Sequence, residues 1–157
     1  MIKLKFIFVG KTKESWIAEG IEHYEKMLSK FAELEFITVK DEKVTEHSSG
    51  KIVLEKEGER ILKYLDKKSF SFVLDSKGKM LSTEELAEFF KEKMNQGHND
   101  FVFITGGVLG LSPKAINSAD FRLSLSKMTF PHQLVRLILL EQVYRAFSII
   151  GGRKYHK

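Results

Sequence analysis

The last thirty residues, Met128 to Lys157, constrain this chain more than any other stretch; they read MTFPHQLVRLILLEQVYRAFSIIGGRKYHK. Chain ends are usually frayed and polar, but this one is a long apolar segment. Pro131 suits the first turn of a helix, where its missing N–H costs nothing, and Gly151-Gly152 is a natural stop. Between them Leu134, Val135, Leu137, Ile138, Leu139, Leu140, Val143, Tyr144, Ala146, Phe147, Ile149 and Ile150 wrap almost the whole helix surface. A helix apolar all round must be buried. Other elements therefore pack on several sides of it, and its ionisable groups, His132, Arg136, Glu141 and Arg145, sit in a low dielectric. Those same charges argue against a membrane span. The tail that follows, Arg153 to Lys157, is delivered to a defined place, as in a site built from the C-terminus.

The rest of the chain alternates strand and helix patterns. Ile2 to Val9 is apolar and β-rich and closes at Gly10. Ile17, Ile21, Tyr24, Leu28 and Phe31 then recur at spacings of four and three, the mark of an amphipathic helix. Leu34 to Val39 reads as a second strand and Asp41 to Gly50 as a polar, mobile loop. Leu54, Ile61, Leu62 and Leu65 give a second helix, weakened by Gly58. Ser69 to Asp75 is a third strand, with a turn at Ser76-Lys77-Gly78-Lys79. Ser82 and Glu85 form a capping box ahead of Leu86, Phe89, Phe90 and Met94, and Gly97 stops that helix. Phe101 to Thr105 is a fourth strand, Ser112-Pro113 opens a short helix, and Phe121 to Leu125 is a fifth strand. This alternation, without hairpin signals, predicts a single α/β domain over residues 1–157, with a mostly parallel sheet flanked by helices. Ligands in such sheets sit beyond the carboxyl ends of strands. The loops after Val39, after Leu74-Asp75 and after Thr105 are therefore the ones to inspect.

With 26 Lys and Arg against 21 Asp and Glu, the formal charge is +5, which suits a polyanionic partner without requiring one. Positive charge gathers at the two ends, at Lys3, Lys5, Lys11 and Lys13 and again at Arg136, Arg145, Arg153, Lys154 and Lys157. The chain has no cysteine, which excludes disulfides, a thiolate nucleophile and cysteine-ligated metal. His23, His47 and His98 stand in no metal-ligand spacing, so no metal is expected. Met1 to Lys5 leads straight into a strand pattern with no signal-peptide architecture, and the expected location is cytoplasmic.

Several motifs admit two readings. Gly10-Lys11-Thr12 lacks the earlier glycine of a phosphate-binding loop, that position being Lys5, and reads as a strand-ending turn. Gly106-Gly107-x-x-Gly110 is either a tight strand-to-helix turn or a backbone stripped of Cβ atoms so that a ligand can approach. In Leu125-Ser126-Lys127-Met128-Thr129-Phe130, Ser126 and Thr129 either cap the last helix or belong to an irregular purine-binding loop. His132 with Arg136, and Glu141 with Arg145, are spaced for helix-stabilising contacts. Arg145 is the more demanding of these, because a cation among apolar neighbours needs a partner or a substrate.

Taken together, FITGGVLGL (103–111), LSKMTFPHQLVR (125–136), EQVYRA (141–146) and YHK (155–157) resemble the SPOUT class of knotted methyltransferases. Within it they are similar to the bacterial large-subunit ribosomal RNA enzymes that act at N3 of a pseudouridine. The resemblance covers the whole chain. It implies a C-terminal trefoil knot, with S-adenosylmethionine held there by Leu74, Gly106, Leu125, Ser126, Lys127, Met128, Thr129 and Phe130. It implies a homodimer acting on the helix 69 loop of 23S rRNA within the ribosome, with no metal and no membrane. His156, Tyr155 and Arg145 are its expected catalytic residues. His156 would take the N3 proton or orient the base, Tyr155 would pack on or bond the nucleobase, and Arg145 would stabilise charge or hold a phosphate.

Overall fold

Four neighbouring strands carry a phenylalanine at the same level, and the rings form one row across the sheet. Phe36, Phe6, Phe103 and Phe72 follow one another with centroid separations of 5.2, 5.1 and 4.9 Å and interplanar angles of 16°, 15° and 12°. The row exists because the strands are parallel and in register, with Phe6 opposite both Phe36 and Phe103, and Phe103 opposite Phe72. Each fully buried ring contributes about 1.5–3 kcal/mol by leaving water.

The computed structural model describes residues 1–152. Its strands are β1 (Lys3–Val9), β2 (Glu33–Val39), β3 (Phe70–Met80), β4 (Asp100–Thr105) and β5 (Phe121–Ser124), and its helices α1 (Ser15–Leu28), α2 (Gly50–Leu62), α3 (Thr83–Asn95), α4 (Pro113–Ser118) and α5 (His132–Ile150). The sheet order is β2-β1-β4-β3-β5, with every pairing parallel. Side chains alternate between faces. Leu4, Phe6 and Phe8 join a core with α1, α3 and α5, while Ile7 and Val9 join a second core with Ile61 of α2 and Ile116 of α4. Burial on both faces is why these strands read as continuous apolar runs.

The final helix is as buried as its composition requires: none of its residues is exposed, and Leu139, Leu140, Val143 and Ala146 are sealed between α1, α3 and the sheet. The expected capping box is present, with Ser82 and Glu85 each bonded to the other's backbone N–H.

Three local readings are revised. The residues expected to turn at 76–79 remain within β3, but Leu74 and Lys79 both lie opposite Leu123, so the chain loops out between them. The Asp41–Gly50 loop is tied down at its start, where Glu42 N–H donates to Glu57 and the Glu42 carboxylate accepts from Arg60. Its end is the Ser49 cap of α2, which begins earlier than the apolar spacing indicated. Gly58 is a close-approach residue, since a Cβ there would lie 2.4 Å from Ser112 Oγ on the opposing helix start.

Candidate active site

The loop-out within β3 after Leu74 and the loops leaving β4 and β5 converge on a cavity of about 610 Å³. Its floor is the glycine turn. Gly110 takes φ +85°, its N–H donates to the Gly107 carbonyl at 3.0 Å, and the pair forms an isolated bridge. This fold-back presses Gly106 onto the Gly110 backbone, where a Cβ on Gly106 would stand 2.5 Å from the Gly110 carbonyl oxygen. No other residue fits there without moving backbone. Beside it, the hydroxyl of Thr105 is buried and has no hydrogen-bond partner among the described residues. Thr105 borders the cavity, and a buried hydroxyl left without a protein partner is the kind of polar group that calls for an explanation such as a ligand.

The opposite wall is the segment between β5 and α5. Ser124 Oγ donates to the Ser126 carbonyl at 3.0 Å, and Met128 N–H donates to Ser126 Oγ at 2.9 Å. Ser126 therefore shapes its own loop and does not cap α5, whose N-cap is Pro131. Of the two readings open for this segment, the irregular loop is the one realised. Leu74, Gly106, Leu125, Ser126, Met128, Thr129 and Phe130 all line the cavity, whereas the exposed Lys127 does not. Val108 and Met128, 66% and 75% exposed, are the large hydrophobic lining residues most open to solvent.

Two further residues line the cavity: Asp75, at a strand end that the sequence marked for inspection, and His132, which the sequence read only as a local partner of Arg136. Asp75 lies in β3 where the chain loops out after Leu74, and is held by Arg122. Burial works to raise its pKa, but the Arg122 bond and charge hold it below the ordinary carboxylate range. His132 faces the cavity from the first turn of α5. Burial, then the Arg136 charge, lower its pKa, which keeps the imidazole neutral at physiological pH. The loop after Val39 does not reach this cavity. Asp41 and Glu42 border a smaller cleft behind it, shared with Glu57, Gly107, Val108 and His132.

Arg145 is absent from the cavity wall and is paired one turn away with Glu141. Tyr155 and His156 lie outside the described residues. Among the described residues, no three His, Asp or Glu side chains gather to hold a metal ion, and no helix is long and apolar enough to cross a membrane.

Comparison with known proteins gives a consistent picture. The family model described as "Predicted SPOUT methyltransferase" matches residues 2–156. A Carboxydothermus hydrogenoformans protein named ribosomal RNA large subunit methyltransferase H is 50% identical, across 99% of this chain and 100% of its own length. One of the same name from Halothermothrix orenii is 47% identical at the same coverage. A solved probable methylase family protein from Haemophilus influenzae shares the fold, with a TM-score of 0.53 at 13% identity over 99% of this chain and 70% of its own. A glycine-floored cavity beyond the strand ends, in a chain matched almost from end to end, makes this protein a member of the SPOUT methyltransferase family.

Proposed function

We propose that this protein is an S-adenosylmethionine-dependent methyltransferase that modifies N3 of a pseudouridine in the helix 69 loop of 23S rRNA, acting on the assembled ribosome as a homodimer. The observation that carries this reading is the glycine floor of the cavity, where backbone without Cβ leaves room for a ligand at the strand ends. Its support as an rRNA enzyme is the name that its equal-length relatives carry, ribosomal RNA large subunit methyltransferase H.

The cavity suits such a donor. Leu74, Leu125 and Phe130 offer apolar walls for an adenine, Gly106 permits close approach, and Thr105 and Asp75 offer polar contacts to a ribose or amine. Ser126, Met128 and Thr129 complete the wall, and the exposed Lys127 between them would reach the donor only by its backbone. When bound, the donor supplies a methyl group already activated on sulfonium sulfur, so no metal or covalent nucleophile is required.

The protein's own tasks are alignment and proton removal. Holding the acceptor in line with the donor converts a bimolecular step into a nearly unimolecular one. The imide N3 must lose its proton, and an imidazole with a pKa near neutrality is suited to accept it. His156 takes that role or orients the base, Tyr155 packs on or bonds the nucleobase, and Arg145, paired with Glu141 outside the cavity wall of its own chain, stabilises the developing charge or a phosphate of RNA that the homodimer brings to it. His132, neutral and on the cavity wall, is a second candidate acceptor.

Deleting residues 155–157 tests the assignment. The truncated protein is expected to bind S-adenosylmethionine almost unchanged by calorimetry and to transfer no methyl group. Undiminished turnover would refute the tail's role. No heat of donor binding to the full chain would instead favour a non-enzymatic ribosome-assembly factor, and equal rates on free 23S rRNA and on assembled particles would remove the ribosome from the reading.

A further inference from the structure

The chain has a single tryptophan, Trp16, and it stands 56% exposed at the start of α1. An indole gains more from burial than almost any other side chain. Just before it, the connection from β1 carries Lys11 and Lys13, both exposed, with Glu14 as its one carboxylate.

This connection is fixed rather than loose, because α5 holds it by its backbone. Gln133 Oε1 accepts from Lys13 N–H at 2.8 Å and Glu14 N–H at 3.3 Å, and Gln133 Nε2 donates to the Lys11 carbonyl at 3.3 Å. Arg136 donates to Thr12 Oγ1 at 2.9 Å and to the Val9 carbonyl at 2.6 Å. Every one of these bonds uses the backbone or a buried side chain, leaving both lysines and the indole turned outward. The residue before Gln133 is His132, which lines the candidate donor cavity. A rigid, positively charged loop with an exposed aromatic is therefore tied to the same first turn of α5 from which His132 lines the cavity.

From this we infer that the Lys11–Trp16 segment is an RNA-docking surface, in which Lys11 and Lys13 receive phosphates and Trp16 stacks on an unpaired base beside the target nucleotide. Lysines attract the backbone irrespective of sequence, and an aromatic face is the usual platform for an unstacked base in single-stranded RNA. Fixing the loop before binding removes part of the ordering cost of association. The inference rests on the proposed rRNA reading and deepens it, by naming residues that would hold the substrate outside the donor cavity.

The lone tryptophan makes the test direct. Wild-type protein is titrated with an unstructured RNA of about ten nucleotides, long enough to span a typical single-strand site, while Trp16 emission is followed at low and high salt. Emission is expected to be quenched, with affinity falling as salt rises. By fluorescence anisotropy of labelled RNA, Trp16→Leu and the double variant Lys11→Ala, Lys13→Ala are each expected to bind about tenfold more weakly. Calorimetry with S-adenosylmethionine should give wild-type heats for both, showing that they are folded. Wild-type RNA affinity in both variants would overturn the inference while leaving the methyltransferase reading intact. Emission that ignores RNA but shifts on protein dilution, with Trp16→Leu splitting the assembly, would assign the surface to a second copy of the chain and also overturn it. Failure of the wild-type protein to bind either donor or RNA would instead defeat the functional reading beneath it.

Discussion

Arg136, on the last helix, donates to the main-chain carbonyl of Val9, the final residue of the first strand, at 2.6 Å. The side chain is wholly buried. It also donates to Thr12 and lies 4.9 Å from the centroid of the Phe8 ring. Burial lowers its pKa to about 10, which still leaves it charged at neutral pH. The helix that supplies His132 to the cavity is thereby locked to the end of the central strand. Its partners are a carbonyl, a hydroxyl and an aromatic face, none of which adds a second buried charge, while Arg136 Nε has no hydrogen-bond partner among the described residues.

Replacing Arg136 with methionine keeps much of the volume but orphans the Val9 carbonyl and the Thr12 hydroxyl. The expected loss is about 2–4 kcal/mol, a buried-acceptor penalty on top of two lost charge-assisted bonds. Arg136→Lys retains the charge but offers one ammonium where a fork spans two acceptors, so it should fall between. Urea denaturation of the three proteins checks the order, and amide exchange at residues 11–14 should quicken in both variants.

Gly106→Ala forces a methyl to within 2.5 Å of a backbone oxygen in a turn that cannot yield locally. Donor affinity is expected to drop at least tenfold, about 1.4 kcal/mol or more, with the far-UV spectrum retained. Gly50→Ala is the matched control, because its new Cβ meets nothing closer than 3.7 Å at the start of α2. It should leave donor binding unchanged by calorimetry.

Gly58→Ala sets two effects against each other. Alanine favours a helix interior by about 1 kcal/mol over glycine, but here its methyl would sit 2.4 Å from Ser112 Oγ. That hydroxyl is 2% exposed and accepts from Ala115 N–H as the cap of α4. Displacing a cap costs about 1 kcal/mol, and the overlap adds to it. A net destabilisation is therefore expected, read as a lower midpoint in thermal unfolding. A rise in midpoint would show that α2 and α4 can separate at little cost.

The elements legible in the sequence were those governed by local periodicity. Continuous apolar, β-rich runs gave the strands, Ser82 with Glu85 gave a helix start, and Leu134 to Ile150 announced a buried helix. The strand order and the partners of charged side chains depend on contacts far apart in the chain. His132 and Arg136, one turn apart, read as a local pair, yet Arg136 bonds residues more than 120 positions away and His132 faces the cavity. Gly58 read as a weakness for the same reason, because Ser112 does not figure in its local pattern. The loops after Leu74 and Thr105 were found by a rule about strand ends. The loop after Val39 satisfied that rule too but lies behind the cavity, against Glu57.

Glu57 carries a pH dependence that substitution should remove. It is 4% exposed, one oxygen accepts from Glu42 N–H at 2.9 Å, and the other has no partner among the described residues. Burial raises its pKa above the ordinary 4.5, only partly offset by the bond from Glu42. A raised folded value means that the unfolded chain releases this proton first as pH climbs. The contribution of Glu57 to stability is thus fully present below 4.5 and is lost as pH rises through the folded value. Glu57→Gln keeps an acceptor for Glu42 and cannot ionise. Its stability should match the wild type at the acid end and exceed it toward neutrality. Asp41, Glu42 and His132 also border this cleft, so the quantity to plot is the difference between the two denaturation curves at each pH. A difference that stays constant with pH would mean that the Glu57 carboxyl titrates alike in the folded and unfolded chain, and would overturn this assignment.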